Sequence, residues 1–372
     1  MGDLLRVTLL APTLDRGGAE RQLVCLANGL AERGHDVCVA LFHKTGGLLS
    51  ELRTDIRVHD LKKKGRWDLF GFLKRLRTFV GRDRPDVIYS FLGIPNLSTL
   101  ILKSTGIRIP VVWSVRASDV DLSRYGRLAQ VCGVFEARLS RFADHIVVNS
   151  NAGMEHAQNT GFCMDKVSVI FNGIDTDRFF PDRANGAALR AQWLSGNNGV
   201  LVGMVARFDP MKDHETFFRA AALAAKSESG LRFVCVGEGP LEEKLRALSH
   251  RLGLSERVIW AGPHSNMAAV YNALDFICLS SISEGFPNVL GEAMACGVPC
   301  VTTRVGDAAY EVGDTGLVVG KGDVQGLAQA IIEMAASAKS EEWPDPRERI
   351  VSRFSVKQMI EETIKVLSEV GC

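Results

Sequence analysis

The stretch SISEGFPNVLGEAMACGVPCV, residues 281–301, sets two carboxylates, Glu284 and Glu292, around a Gly-Phe-Pro-Asn turn with seven residues between them. The turn follows the strand-like DFICLSS, and Pro287 suits an early helical position, where a backbone N–H would lack an intrahelical acceptor anyway. The amides of Asn288 and Val289 then lie at a helix N-terminus, where free N–H groups and the helix dipole attract phosphate. A carboxylate beside a phosphate is repelled unless its own partner is neutral, and a pair of vicinal hydroxyls is such a partner. Glu292 could grip a ribose diol and Glu284 a sugar hydroxyl. Helix capping by Glu284 and a solvated Glu292 account for the same spacing.

Two cations stand in a similar position. VARFDPMKD closes a strand-like run with Arg207 and Lys212, which together could neutralise a diphosphate, although either alone would read as half of a surface ion pair. Upstream, Gly17 and Gly18 of LDRGGAERQL follow the first apolar run and lead into a helix. Paired glycines let a ligand approach the backbone, and helix entry explains them too. GEGPLE, from Gly237, also follows a strand but lacks the third glycine of a dinucleotide fingerprint.

Such residues need strands whose ends converge. RVTLLAP, DVCVALF, PDVIYSFL, PVVWSV and HIVVNS alternate with amphipathic stretches such as AERQLVCLANGLAERG, the pattern of a parallel sheet wrapped by helices. DRANGAALRAQWLSGNNG, small and polar, is expected to be the domain junction, and the pattern then restarts with VLVGMVAR, RFVCVGEG, RVIWAG, DFICLSS and VPCVTT. The expected fold is α/β, two doubly wound Rossmann-like domains facing across a cleft, residues 1–178 and 179–372. The last helix, at about 355–370, shows one apolar face of Val356, Met359, Ile360, Ile364 and Val366/Leu367, and is expected to pack back on the first domain. Ligands of such folds sit at the carboxyl ends of the strands.

With 372 residues the chain is too long for one ordinary core. No apolar run approaches the roughly 18–20 residues that span a bilayer, and MGDLLRVTLLAPTL reads as a first strand, so a cytoplasmic location is expected. The nine cysteines are scattered, several inside apolar runs, and read as buried thiols; Cys296 and Cys300, the one close pair, lack the further ligands of a zinc site. A net charge of +1 hides an asymmetry: residues 1–178 carry 25 Lys and Arg against 19 Asp and Glu, the remainder 19 against 24. The first half should prefer an anionic surface or ligand; nucleic acid is not an expected partner.

Taken together, GGAERQLVCLANGLAERGHDV, VIFNGIDTDRF, VARFDPMKD and SEGFPNVLGEAMACGVPCV resemble the retaining glycosyltransferases of family 4, with the GT-B fold, of the bacterial polysaccharide-biosynthesis type. The resemblance covers nearly the whole chain. It implies transfer of a sugar from a UDP- or GDP-sugar to an acceptor hydroxyl on a glycan or lipid-linked precursor, with retention at the anomeric carbon. It further implies that Glu292 binds the donor ribose and Glu284 lies against the transferred sugar. The backbones of Gly285, Phe286, Asn288 and Val289 would then donate to sugar and diphosphate. Arg207 and Lys212 match the pair that neutralises the leaving diphosphate, Gly17 and Gly18 the loop near donor phosphates and acceptor, and Gly237 the loop bordering the base.

Many members of the family carry a histidine where this chain reads VVWSVRASDVDLSRYG; here Arg116 or Asp119 is placed near the reacting centre, a structural ion pair being the alternative for Arg116. DVD at Asp119–Asp121 and DTD at Asp175–Asp177 look like the Asp-x-Asp metal site of a different glycosyltransferase fold. Because the cationic pair can do a metal's charge-neutralising work, neither a metal nor a cofactor is expected. With no evident nucleophile, the expected route is front-face, the leaving phosphate helping to deprotonate the acceptor. The alternatives are a same-fold nucleotide-sugar epimerase or hydrolase, and a non-catalytic sugar-nucleotide binding subunit.

DLKKKGRWDLFGFLKRLRTFVGR gathers Lys62, Lys63, Lys64, Arg66, Lys74, Arg75 and Arg77 with Trp67 and Phe70. A helix there would bury Leu69, Phe72, Leu73, Leu76 and Phe79 and turn a basic face outward. That face is either simply solvated or docks on anionic lipid, at about 1 kcal/mol per basic residue near the surface. Docking would make the chain a peripheral protein of the inner membrane face.

Overall fold

The computed structural model describes residues 4–15, 17–65, 67–116, 127–196, 198–340 and 343–371. The chain divides into two compact units, Met1–Gly173 with Val356–Cys372, and Ile174–Ser355. The break therefore falls at Gly173 rather than at 178, and the last helix, Val356–Gly371, is part of the first unit.

The first unit holds a seven-stranded sheet of β1 (Arg6–Ala11), β2 (Asp36–Leu41), β3 (Arg57–Asp60), β4 (Val87–Phe91), β5 (Val111–Val115), β6 (His145–Val148) and β7 (Val167–Val169). Its order is β3-β2-β1-β4-β5-β6-β7, with every pairing parallel. β4 and β5 are buried along their full length, as expected for strands covered on both faces. The edge strands β3 and β7 are short and partly exposed, and their mixed sequences RVHD and VSV give little periodic signal. The helix Gly18–Glu32 covers one face and meets the last helix there, Leu23, Leu26, Leu30, Met359, Ile360 and Leu367 sharing one core. A Cβ on Gly29 would lie 1.9 Å from Ile360 Cδ1, so a larger residue there would displace the Ile360 side chain. The helix Leu69–Asp83 buries Phe72, Leu76, Phe79 and Val80, with Leu73 partly buried. Leu69, expected inside, is 54% exposed because it opens the helix ahead of the buried stripe.

The second unit holds β8 (Val200–Val205), β9 (Leu231–Val236), β10 (Val258–Gly262), β11 (Phe276–Leu279), β12 (Cys300–Thr303) and β13 (Gly316–Val319). These are parallel in the order β10-β9-β8-β11-β12-β13. The stretch expected to be a junction is instead the helix Arg183–Leu194, inside this unit. Its small residues serve close packing: a Cβ on Gly186 would come within 2.4 Å of the Asn272–Ala273 backbone. Asp182 caps the helix by accepting from Asn185 N–H.

Candidate active site

In the second sheet the order reverses between β8 and β11, and loops leaving such neighbours diverge, which is where ligands of doubly wound folds bind. Local hydrogen bonding shapes those loops. Asp209 accepts from Met211 N–H (2.9 Å), starting the single turn Pro210–Lys212. Asp213, at φ +45°, then caps the helix His214–Ser227 through Thr216. The buried Ser280 hydroxyl lies 3.0 and 2.9 Å from the carbonyls of Lys212 and Asp213, Ile282 N–H donates to Met211 O (2.8 Å), and Thr303 Oγ donates to Ser281 O (2.6 Å). The segments after β8, β11 and β12 are thereby tied into one rigid platform.

On it Lys212 Nζ donates to Glu284 Oε1 at 2.5 Å, and Ser281 Oγ donates to the same oxygen at 2.6 Å. Side-chain exposures of 24% for Lys212 and 11% for Glu284 mean that removing either partner would leave a poorly solvated charge behind. Glu284 therefore caps no helix; its carboxylate is held in a fixed direction. Gly306, at φ +48°, lies so close that a Cβ there would be 2.0 Å from Glu284 O, and Asp307 N–H donates to Gly285 O (2.8 Å). Glu292 is also not solvated: it is 8% exposed and accepts from the fully buried Tyr271 hydroxyl at 2.7 Å. Both capping and solvation thus fail as explanations of the two acids.

Arg207 is exposed, and its guanidinium makes no hydrogen bond or ion pair with a described residue. Its turn is braced from below: a Cβ on Gly237, at φ +139°, would lie 2.2 Å from Ala206 O, and Phe208 N–H donates to Glu238 O. This packing gives Gly237 a structural reason to be glycine. The helix Asn288–Ala295 has Pro287 at its N-cap rather than inside it, so Asn288 and Val289 open the first turn, where amides lack intrahelical acceptors. The Phe286 ring is buried, 5.2 Å from the Phe354 ring, leaving only its backbone for a ligand.

Two buried groups here gave no sequence signal. Glu311 is completely buried, and Gly291 packs so tightly on it that a Cβ would be 2.7 Å from Oε1. Burial, then the nearby Glu284, Asp307 and Glu292, push its carboxyl well above the usual carboxylate range. His214 is 1% exposed, neither ring nitrogen has a hydrogen-bond partner among the described residues, and its ring meets Phe208 edge-on at 5.0 Å. Burial, reinforced by Lys212, lowers its pKa from 6.5 to about 4.

This depression fixes a pH dependence. The unfolded chain takes up the His214 proton near 6.5 and the folded one only near 4, so folding stability is intact above the unfolded value and falls as pH drops between the two. The loss should reach about 3 kcal/mol, at ~1.4 kcal/mol per unit. His214→Leu should flatten the acid side of a stability-against-pH curve from chemical denaturation; an unchanged curve would show that His214 titrates normally.

In the first unit Gly17 is the extended N-cap of the helix Gly18–Glu32. The loop before it is pinned to the loop after β2 by Leu14 N–H to Thr45 O and Leu48 N–H to Leu14 O. Arg116, after β5, donates Nε to Ser114 Oγ (2.9 Å) and Nη1 to Asn172 Oδ1 (2.6 Å), with its guanidinium 5.1 Å over the Phe91 ring. Among the described residues Arg116 is held by neutral partners, and burial lowers its pKa. Asp119 and Asp121 lie outside the described residues. Asp175 accepts from the backbone N–H groups of Asp177 and Arg178, a local turn that accounts for the DTD sequence. Among the described residues no three His, Cys, Asp or Glu are grouped to hold a metal ion, and no helix is long and apolar enough to cross a membrane.

The second unit thus presents a cation, an acid fixed by another cation, a buried acid and a helix N-terminus on a single platform. Residues 199–337 match the family model for glycosyl transferases group 1, and residues 16–178 that for glycosyltransferase family 4. A Campylobacter jejuni alpha-1,4-N-acetyl-D-galactosaminyltransferase, named for a glycan on PP-undecaprenol, is 25% identical over 99% of both chains. The lipopolysaccharide core biosynthesis glycosyltransferase LpsE of Rhizobium meliloti is 26% identical over 95% of this chain and 96% of its own. The crystal structure of Anabaena HepE in complex with UDP superimposes with a TM-score of 0.84 at 23% identity, covering 98% of this chain and all of that one. The chain belongs to glycosyltransferase family 4 and is a glycosyltransferase of the GT-B fold.

Proposed function

We propose that the chain transfers a sugar from a nucleoside-diphosphate sugar to a hydroxyl of a lipid-linked or polysaccharide-precursor glycan, with retention and without metal or cofactor. The reading rests chiefly on one observation: Lys212 fixes Glu284, and Arg207, on the loop that carries Lys212, is unpaired among the described residues. UDP is favoured over GDP because HepE was solved with UDP and with UDP-glucose. The lipid-linked acceptor follows the Campylobacter relative, named for a glycan on PP-undecaprenol; work at the cytoplasmic face of a membrane is part of the proposal.

In this reading Glu292 accepts from the ribose hydroxyls, and the backbone at Gly285, Phe286, Asn288 and Val289 donates to sugar and diphosphate. Glu284 orients the transferred sugar. As the bond from the anomeric carbon to the phosphate oxygen breaks, its electron pair stays on the diphosphate, where Arg207 and Lys212 stabilise it. The acceptor oxygen attacks from the same face and passes its proton to the departing phosphate. By the family resemblance Gly17, Gly18 and Arg116 belong to an acceptor-binding surface of the first unit, and Gly237 to the base-binding loop of the second. Arg116 acts by shaping that surface, with two of its five N–H donors held by Ser114 and Asn172.

The test is incubation with UDP- and GDP-sugars in EDTA, with and without a lipid-linked acceptor, followed by mass analysis of the product and NMR of the new anomeric centre. Acceptor-dependent release of one nucleoside diphosphate, with an unchanged anomeric configuration, is expected. Consumption of the donor at equal rate without acceptor would favour a hydrolase or epimerase instead, and a trapped glycosyl-enzyme would rule out the front-face route.

A further inference from the structure

The entry to the helix Leu69–Asp83 presents a surface that protein cores do not account for. Trp67 is 85% exposed and Phe70 is 90% exposed, with Leu69 at 54% beside them. Single exposed apolar side chains are ordinary, but here two almost fully exposed aromatic rings sit three residues apart. Lys62, Lys64, Lys74 and Arg77 are exposed around them. Phe70, Lys74 and Arg77 follow at helical spacings of four and three, which places them on one stripe of the helix.

The charge on this surface is predominantly positive, with Asp60 at its edge accepting from Lys62 N–H at 2.9 Å. Asp68 is the sole acid in residues 62–77, and it is turned inward: it pairs with Arg75 and accepts from Lys64 N–H at 2.7 Å. Arg75 also donates to Leu61 O (2.7 Å), and Lys63 donates to Gly65 O (2.5 Å), so both are engaged locally. What remains outward is two aromatic rings, a leucine and four cations. A solvated basic face explains the cations but not the rings, while a soluble glycan would satisfy the rings but not the excess of positive charge. An anionic bilayer satisfies both: rings settle at the boundary between headgroups and acyl chains, and cations meet the lipid phosphates.

We propose that Trp67 and Phe70 insert as a wedge into an anionic phospholipid surface, with Lys62, Lys64, Lys74 and Arg77 paired to its headgroups. The surface stands on these observations alone; that it delivers the enzyme to a lipid-linked acceptor rests on the function proposed above. Each near-surface cation multiplies partitioning about fivefold, and a stable hold takes both signals, insertion and charge.

The experiment is co-sedimentation of the full chain with vesicles of phosphatidylglycerol and phosphatidylcholine, or of phosphatidylcholine alone, together with tryptophan emission. Trp113 and Trp193 are buried and Trp260 and Trp343 half-buried, so a blue shift on binding reports mainly Trp67. Salt-sensitive binding to the anionic vesicles is expected, with a blue shift that Trp67→Phe removes while binding persists. Both Trp67→Ala/Phe70→Ala and Lys74→Glu/Arg77→Glu should lower partitioning at least tenfold with an unchanged melting temperature and unchanged UDP binding. Absence of wild-type binding to anionic vesicles, or equal binding by the variants, would overturn the wedge. So would a loss of activity on a lipid-free acceptor in the aromatic variant, which would mark the rings as a glycan site. Failure of UDP binding in the wild type would count against the catalytic reading and leave the vesicle result standing.

Discussion

Replacing Glu284 with glutamine should slow sugar transfer by about two to three orders of magnitude, the usual effect of removing one preorganised electrostatic partner. Glutamine keeps the size of the side chain and an oxygen to accept from Ser281 Oγ, now 2.6 Å from the carboxylate. It loses the charge that holds Lys212 Nζ at 2.5 Å. Lys212 is then free to swing, and the sugar loses an oriented anion. Binding of the nucleoside diphosphate should change only a few-fold, because the proposed function assigns ribose and phosphates to Glu292, Arg207 and the first turn of the helix Asn288–Ala295. The check is kcat beside the dissociation constant for UDP in the same variant. A fall in affinity as large as the fall in kcat would make Glu284 a binding residue.

Arg207→Ala should have the second-largest effect, about a hundredfold in kcat/KM, corresponding to about 3 kcal/mol for a charge-assisted bond to the leaving phosphate. The side chain is exposed and unpaired within the described residues, so its loss should leave the melting temperature unchanged. That separates Arg207 from Lys212, whose removal strands the Glu284 carboxylate at 11% side-chain exposure and should lower stability as well as rate. Steady-state kinetics and thermal melts of the two single variants make the comparison. Equal stability losses would mean that Arg207 has a structural partner; wild-type kinetics in Arg207→Ala would remove it from the site.

The sheet architecture was readable because strands covered on both faces leave near-continuous apolar runs, as VIYSF and VVWSV do. The edge strands β3 and β7 carried no such run. The helix Arg183–Leu194 read as a junction because its Gly and Ala residues, which let it approach Asn272, have the composition of a linker. At the site, the spacing of Glu284 and Glu292 was visible, but whether they cap, face solvent or pair was not. That depends on Lys212, 72 residues away, and on Tyr271, 21 residues away. Glu311 and His214 escaped notice for the same reason: their burial is created by packing, and nothing in the adjacent residues marks it.

The most direct measurement is the melting temperature of the wild type and of an Arg207→Ala/Glu292→Ala variant against UDP, UDP-sugars and GDP-sugars in EDTA. A nucleotide at 100 times its dissociation constant adds about 2.7 kcal/mol. In a chain of this size that is a rise of several degrees, at about 2–4 °C per kcal/mol. A rise with one nucleotide class in the wild type, absent from the folded variant, is the expected result. An equal rise in both proteins would place the nucleotide elsewhere and contradict the assignment of Arg207 and Glu292.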